Sequence, residues 1–176
     1  MDSSGNGAAK KYLGIYRGTV VKTTDPEQRG RIMALVPDVS KTIPLSWALP
    51  CVPVAGIQMG MFTVPPVGSG VWIEFEQGDP DHPVWVGGFW GTAVEVPALA
   101  RLVKSELPSI TLQTPLQNGI VVSDTPGPTG GIQIKTASGA MISVSDVGIT
   151  ITNGKGATIT LTGNAVDINL GALTVQ

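Results

Sequence analysis

Histidine occurs once in the chain, at His82, so any general-base or metal chemistry that needs an imidazole must be assembled around that residue. It lies in the run Asp79-Pro80-Asp81-His82-Pro83. Asp79, Asp81 and His82 have the residue types of a cation site, but the run is also a turn sequence, and a solvated turn accounts for all three. Cys51 is the one cysteine, which excludes an intrachain disulfide. Between Pro50 and Val52 it reads as a buried, inert thiol. Trp72, Trp85 and Trp90 have the character of a stacking platform for bases or sugars, yet no cluster of Lys or Arg surrounds them, so core or subunit contact is the better reading. Charged residues make up 14% of the chain and the formal net charge is -2, which gives no electrostatic basis for a nucleic-acid or anionic-membrane partner. The sequence therefore offers no catalytic residue, no cofactor site and no metal site.

What could position any chemistry is almost entirely β structure. The chain has 176 residues with 23 Gly and 14 Pro, a turn-rich composition. Residues 1–11 read as a flexible, polar start without the apolar run of a signal peptide, and no apolar stretch is long enough to span a membrane. Residues 12–91 carry five short strand patterns. YRGTVVKT is followed by the turn TDPEQRG and by RIMALVPD, in which Ile32, Ala34 and Val36 share a face. Then come SWALPCVPVA, GVWIEFEQ with Val71, Ile73 and Phe75 alternating against Trp72, Glu74 and Glu76, and HPVWVGGFWG. With the long excursion GIQMGMFTVPPVGSG between the third and fourth, these suit a small closed barrel of the OB type. Residues 92–109 read as a connector in which ALARLVKSEL is long enough for a turn or two of helix.

Residues 110–176 repeat. GIQIKTASGAMISVSDV placed over GITITNGKGATITLTGN aligns Ile132 with Ile149, Ile134 with Ile151, Ile142 with Ile159, and Val144 with Leu161. Gly131 falls on Gly148 and Gly139 on Gly156, and a partial third copy follows with Val166, Ile168, Leu170, Leu173 and Val175. A period of two sends these thirteen aliphatic residues to one side and Thr, Ser, Gln and Asn to the other. About two and a half copies are too few for a self-stacking solenoid. A single chain leaves the apolar ridge uncovered and strand edges unpaired; identical chains wound about one axis, pairing strands with their neighbours, would solve both, and a triangular section makes a homotrimer the natural assembly.

The combination of DPEQRGRI with PPVGSGVWIEFEQGDPDHPVWVG, followed by glycine-punctuated β repeats, resembles the central spike proteins of contractile injection systems. These are phage baseplate assembly protein V, the valine-glycine repeat proteins of type VI secretion, and the spikes of phage-tail-like particles. The resemblance implies an all-β chain: an N-terminal OB-fold barrel followed by a C-terminal triple-stranded intertwined β-helix, homotrimeric, with the thirteen aliphatic residues on the axis. It implies assembly in the cytoplasm into a tail or tail-like baseplate, with a separate hub protein at the N-terminal end. At the other end Leu173, Thr174, Val175 and Gln176 would meet a tip protein of the proline-alanine-alanine-arginine class, since the chain lacks the His-x-His pair with which some relatives bind iron. The connector is too short to hold the lysozyme domain of other relatives, and the implied role is non-enzymatic: a spike that makes transient contact with a target membrane. The competing reading is an OB module for oligonucleotide or glycan with an oligomerising tail.

Overall fold

The computed structural model describes residues 10–102 and 106–175, the side chain of Thr174 excepted. Most of the start expected to be flexible, residues 1–9, lies outside the described residues, as does Gln176. The chain divides into two compact units, one up to Gly91 and one from Thr92 onward.

The first unit holds β1 (Tyr16–Lys22), β2 (Met33–Leu35), β3 (Leu49–Pro50), β4 (Ala55–Gly56), β5 (Met59–Gly60), β6 (Gly70–Phe75) and β7 (Pro83–Phe89). Five of these form a sheet in the order β2-β1-β6-β7-β3, in which only the β3–β7 pair is parallel. Its two ends meet through Ile32 and Ala48, which exchange N–H···O bonds of 3.2 and 2.8 Å and so curl the sheet shut. The alternation read from the sequence is the reason: Ile32, Ala34, Val36, Val71 and Ile73 all point inward and are completely buried, and Val20 joins them. Trp85 is also interior, and its Nε1–H donates to the Gly30 carbonyl at 3.2 Å, the partner a buried indole requires. The long excursion between β3 and β6 carries the separate hairpin β4–β5, closed through Ile57 and Gln58.

The second unit opens with 3-10 turns at Ala93–Glu95 and Ala98–Arg101 and continues as β8 (Ser109–Gln113), β9 (Gly119–Ser123), β10 (Gly131–Lys135), β11 (Met141–Ser145), β12 (Gly148–Thr152), β13 (Thr158–Thr162), β14 (Ala165–Ile168) and β15 (Leu173–Val175). These eight strands form one antiparallel meander in chain order. Each 17-residue copy is thus a pair of adjacent strands, β10–β11 and β12–β13. The repeated glycines start those pairs. Gly131 has φ 73° and Gly148 φ 147°, and a Cβ at either would strike a carbonyl oxygen of the neighbouring strand, that of Val144 or Leu161. The strand pairing expected between neighbouring chains is made within one chain along the whole meander, because the short hairpin turns bring successive strands side by side. Among the described residues, β8 and β15 are the edges of this sheet. The 3-10 turn at Ala98–Arg101 packs on β8 and β9: Leu99 is 3% exposed, and its N–H donates to Gln113 Oε1 at 2.8 Å.

Candidate trimer interface and barrel surface

The register of the meander turns the sequence repeat into two straight rows of aliphatic side chains. Ile110, Val122, Ile132, Val144, Ile149, Leu161, Val166 and Val175 are successive cross-strand partners and form the first. Leu112, Ile120, Ile134, Ile142, Ile151, Ile159, Ile168 and Leu173 form the second. Twelve of the thirteen residues singled out in the sequence therefore fall into these rows. Leu170 does not; it occupies the β14–β15 turn at φ 55° and is 88% exposed. Four members were missed, Ile110, Leu112, Ile120 and Val122. The signal was weak there because β8 and β9 precede the clear 17-residue copies and Val121, on the opposite face, breaks the alternation of β9.

Between the two rows, on the other face, run Thr111, Val121, Gln133, Ser143, Thr150, Thr160 and Asp167. Val121 is the one apolar residue among them and is buried, on the face that Leu99 covers. The aliphatic face has no such cover in the single chain, and its members run from partly exposed to 65% exposed at Ile110. Full burial of such a side chain is worth about 1.5–3 kcal/mol. With roughly half of that already gained inside the sheet, covering all sixteen would add on the order of 10–25 kcal/mol per chain before association costs.

The barrel residues with chemical potential are occupied structurally. Asp25 is buried, and its carboxylate accepts hydrogen bonds from the backbone N–H of Glu27 (3.0 Å), Arg29 (2.8 Å) and Arg31 (3.3 Å). Arg31 Nε and Nη2 donate to Oδ1 of the same carboxylate at 3.1 and 2.6 Å. The Arg31 guanidinium holds Asp25 far below the usual aspartate range, against burial, which pushes the other way, and with help from the three backbone donors. DPEQRGR is therefore a knotted turn. Gly30, at φ 76°, carries it back into the barrel.

Trp72 tilts against Phe89 at 4.8 Å between ring centroids, with the Arg17 guanidinium 5.3 Å from both rings. With Trp85 inside the barrel and Trp90 exposed, the three tryptophans do not form one platform. His82 Nδ1 lies 3.3 Å from Asp79 Oδ2, while Asp79 Oδ1 accepts the Asp81 N–H at 2.9 Å, which is turn geometry. Among the described residues no group of three or more His, Cys, Asp or Glu side chains is placed to hold a metal. Cys51 is exposed, contrary to expectation. Strand alternation explains it: Ala48 is buried and Pro50 partly so, which sends the next side chain outward, while the Cys51 N–H prolongs the β3–β7 pairing by donating to the Trp85 carbonyl at 2.9 Å.

Residues 16–90 match the family model of the type VI secretion system/phage-baseplate injector OB domain, and residues 109–174 that of the phage baseplate V C-terminal trimerisation domain. The chain belongs to the phage baseplate V family. Comparison with curated proteins gives no match. Membership accounts for both units: the curled five-stranded sheet is the OB domain of a baseplate V protein, and the meander with its uncovered aliphatic rows is its trimerisation domain. A baseplate V protein is a structural component of the injector, a role in keeping with a knotted turn and an apolar interface as the main features here. Among the described residues no helix is long and apolar enough to cross a membrane.

Proposed function

We propose that this protein is the non-enzymatic, homotrimeric spike at the centre of a contractile injection baseplate, joined to a hub protein at its N-terminal end and to a tip protein at β15, and driven through the target envelope on sheath contraction. The observation that carries the reading is the pair of eight-membered aliphatic rows on one face of a trimerisation domain. Three copies of that face, turned toward a common axis, bury one another and leave the Thr and Ser face in water. Stiffness follows from the same arrangement, since the ladder is continuous within each chain and the axis is dry. Leu173 and Val175, on the edge strand β15, stand 54% and 57% exposed and offer an apolar seat for the tip protein.

Sedimentation of the full chain tests the trimer. A mass of three times 18.2 kDa is expected, and a stable folded monomer at micromolar concentration would remove the basis of the proposal. Adding oligonucleotide at low salt tests the rival OB-binding role; no change in sedimentation is expected.

A further inference from the structure

The barrel carries a second apolar feature that the spike reading leaves unused. From Cys51 to Gly70 no residue is charged, and this stretch projects the hairpin β4–β5 with Ile57 97% exposed at its tip and Met59 64% exposed beside it. A β-branched aliphatic at the tip of a two-residue turn, where Asn, Asp or Gly is usual, marks a contact surface. The same barrel holds a separate groove walled by Phe62, Val64, Pro65 and Pro66 and rimmed by Thr24 and Gln28. Asp25 also lines it, but that carboxylate already has five hydrogen bonds. An apolar occupant therefore leaves no charge unpaired.

We infer that the β4–β5 tip of one barrel seats in the Thr24–Pro66 groove of the next barrel in the same trimer. Knob and groove are different patches on one surface, and repeating such a head-to-tail contact about a three-fold axis closes a ring. Chain length supports a second copy as the occupant. Leu99 is pinned to β8 and β9 of the trimerisation domain, and only seven residues, eight Cα steps, lie between it and Gly91, the last residue of the barrel unit. The connecting chain can span at most about 26–29 Å, a tether short enough to make the effective concentration of one barrel near another millimolar. A contact too weak to dimerise free barrels is then populated in the particle.

This inference rests on the trimer, and the test separates the two. Two full-length variants are co-expressed with different tags, Cys51→Ser with Ile57→Cys and Cys51→Ser with Thr24→Cys, so that neither can form an internal disulfide. In isolated mixed trimers, mild oxidation should yield a covalent pair bearing both tags, several-fold faster than when Ile43→Cys, at a 70% exposed position elsewhere on the barrel, replaces Thr24→Cys. Equal rates, or links only between two copies of the Ile57→Cys chain, overturn the inference while leaving the trimer intact. Binding of the trimer to neutral phospholipid vesicles that is abolished by Ile57→Ser, with no doubly tagged product, would assign the tip to a membrane and also overturn it. If no mixed trimer sediments, the spike reading fails first.

Discussion

Replacing Ile151 with Asp puts the largest strain on the proposed axis. Ile151 lies mid-row between Ile142 and Ile159 and is 42% exposed in the single chain. Three-fold packing would remove that exposure, which at about 1.5–3 kcal/mol for full burial is worth roughly 0.6–1.3 kcal/mol per chain, or about 2–4 kcal/mol per trimer. The substitution forfeits this and adds three carboxylates at a desolvated axis, each costing several kcal/mol with mutual repulsion besides. The total is on the order of 10 kcal/mol, enough to abolish assembly at micromolar protein. Because the site is half open in one chain, the monomer should still fold, and the loss should appear in sedimentation and in trimer melting. Desolvation and like charge both raise the carboxyl pKa, so trimers should return as pH falls through that raised value, above the usual 3.9 or so of an aspartate. Thr150→Asp is the control. Its side chain is on the other face, between Ser143 and Thr160 in the polar row that already contains Asp167, and should cost within about 0.5 kcal/mol. Equal losses in the two variants, or a greater one for Thr150→Asp, would show that the faces are assigned the wrong way round.

A chain ending at Thr92 should give a soluble barrel that sediments as a monomer, since the aliphatic rows all lie beyond it; a firm trimer would disconnect the rows from assembly. Asp25 makes barrel stability depend on acid in a definite sense: a carboxyl whose folded pKa is depressed contributes fully above its unfolded value and loses that contribution as pH falls below it toward the folded value. The wild-type melting temperature should therefore drop below about pH 4, and Asp25→Asn should melt lower at neutral pH and show a flatter acid limb. Gly131→Ala should cost about 1–3 kcal/mol from its left-handed φ alone, and more from the Cβ clash with the Val144 carbonyl. Gly163→Ala, at φ 59° with open space around it, should pay only the backbone cost when the two are compared by trimer melting. Leu99→Ala should destabilise the trimerisation domain by about 2–5 kcal/mol, read as a lower trimer melting temperature in the full chain.

The sequence shows best what a period of two dictates. Ile32, Ala34 and Val36 on one face, and Val71, Ile73 and Phe75 opposed to Trp72 and Glu74, were legible because each strand alternates cleanly and each inward residue is in fact buried. The aliphatic ridge was legible for the same reason, reinforced by the 17-residue spacing. What escaped depended on contacts distant in the chain. The packing of the Ala98–Arg101 turn on β8 and β9 cannot be read from either segment alone, and Cys51 looked buried because its apolar neighbours outweighed a phase that only the β3–β7 pairing fixes. The Asp25 knot lay within the DPEQRGR turn in plain view, but residue types alone do not tell a carboxylate that binds its own turn from one open to a ligand.

The straight cross-strand register also makes the trimerisation domain a ruler. Neighbouring strands are about 4.8 Å apart, so the seven intervals of the eight-stranded meander span roughly 34 Å. A 17-residue unit adds two strands and returns the chain to the same phase, with Gly131 and Gly148 in equivalent places and both aliphatic rows unbroken. Duplicating or deleting one such unit therefore changes length in steps of about 10 Å and leaves the cross-section, the interface chemistry and the final rung as they were. An insertion of one residue within a strand would send every later aliphatic side chain of that strand to the wet face. Reach and assembly are in this way independently variable: the number of repeats sets one, and the residues within each repeat set the other.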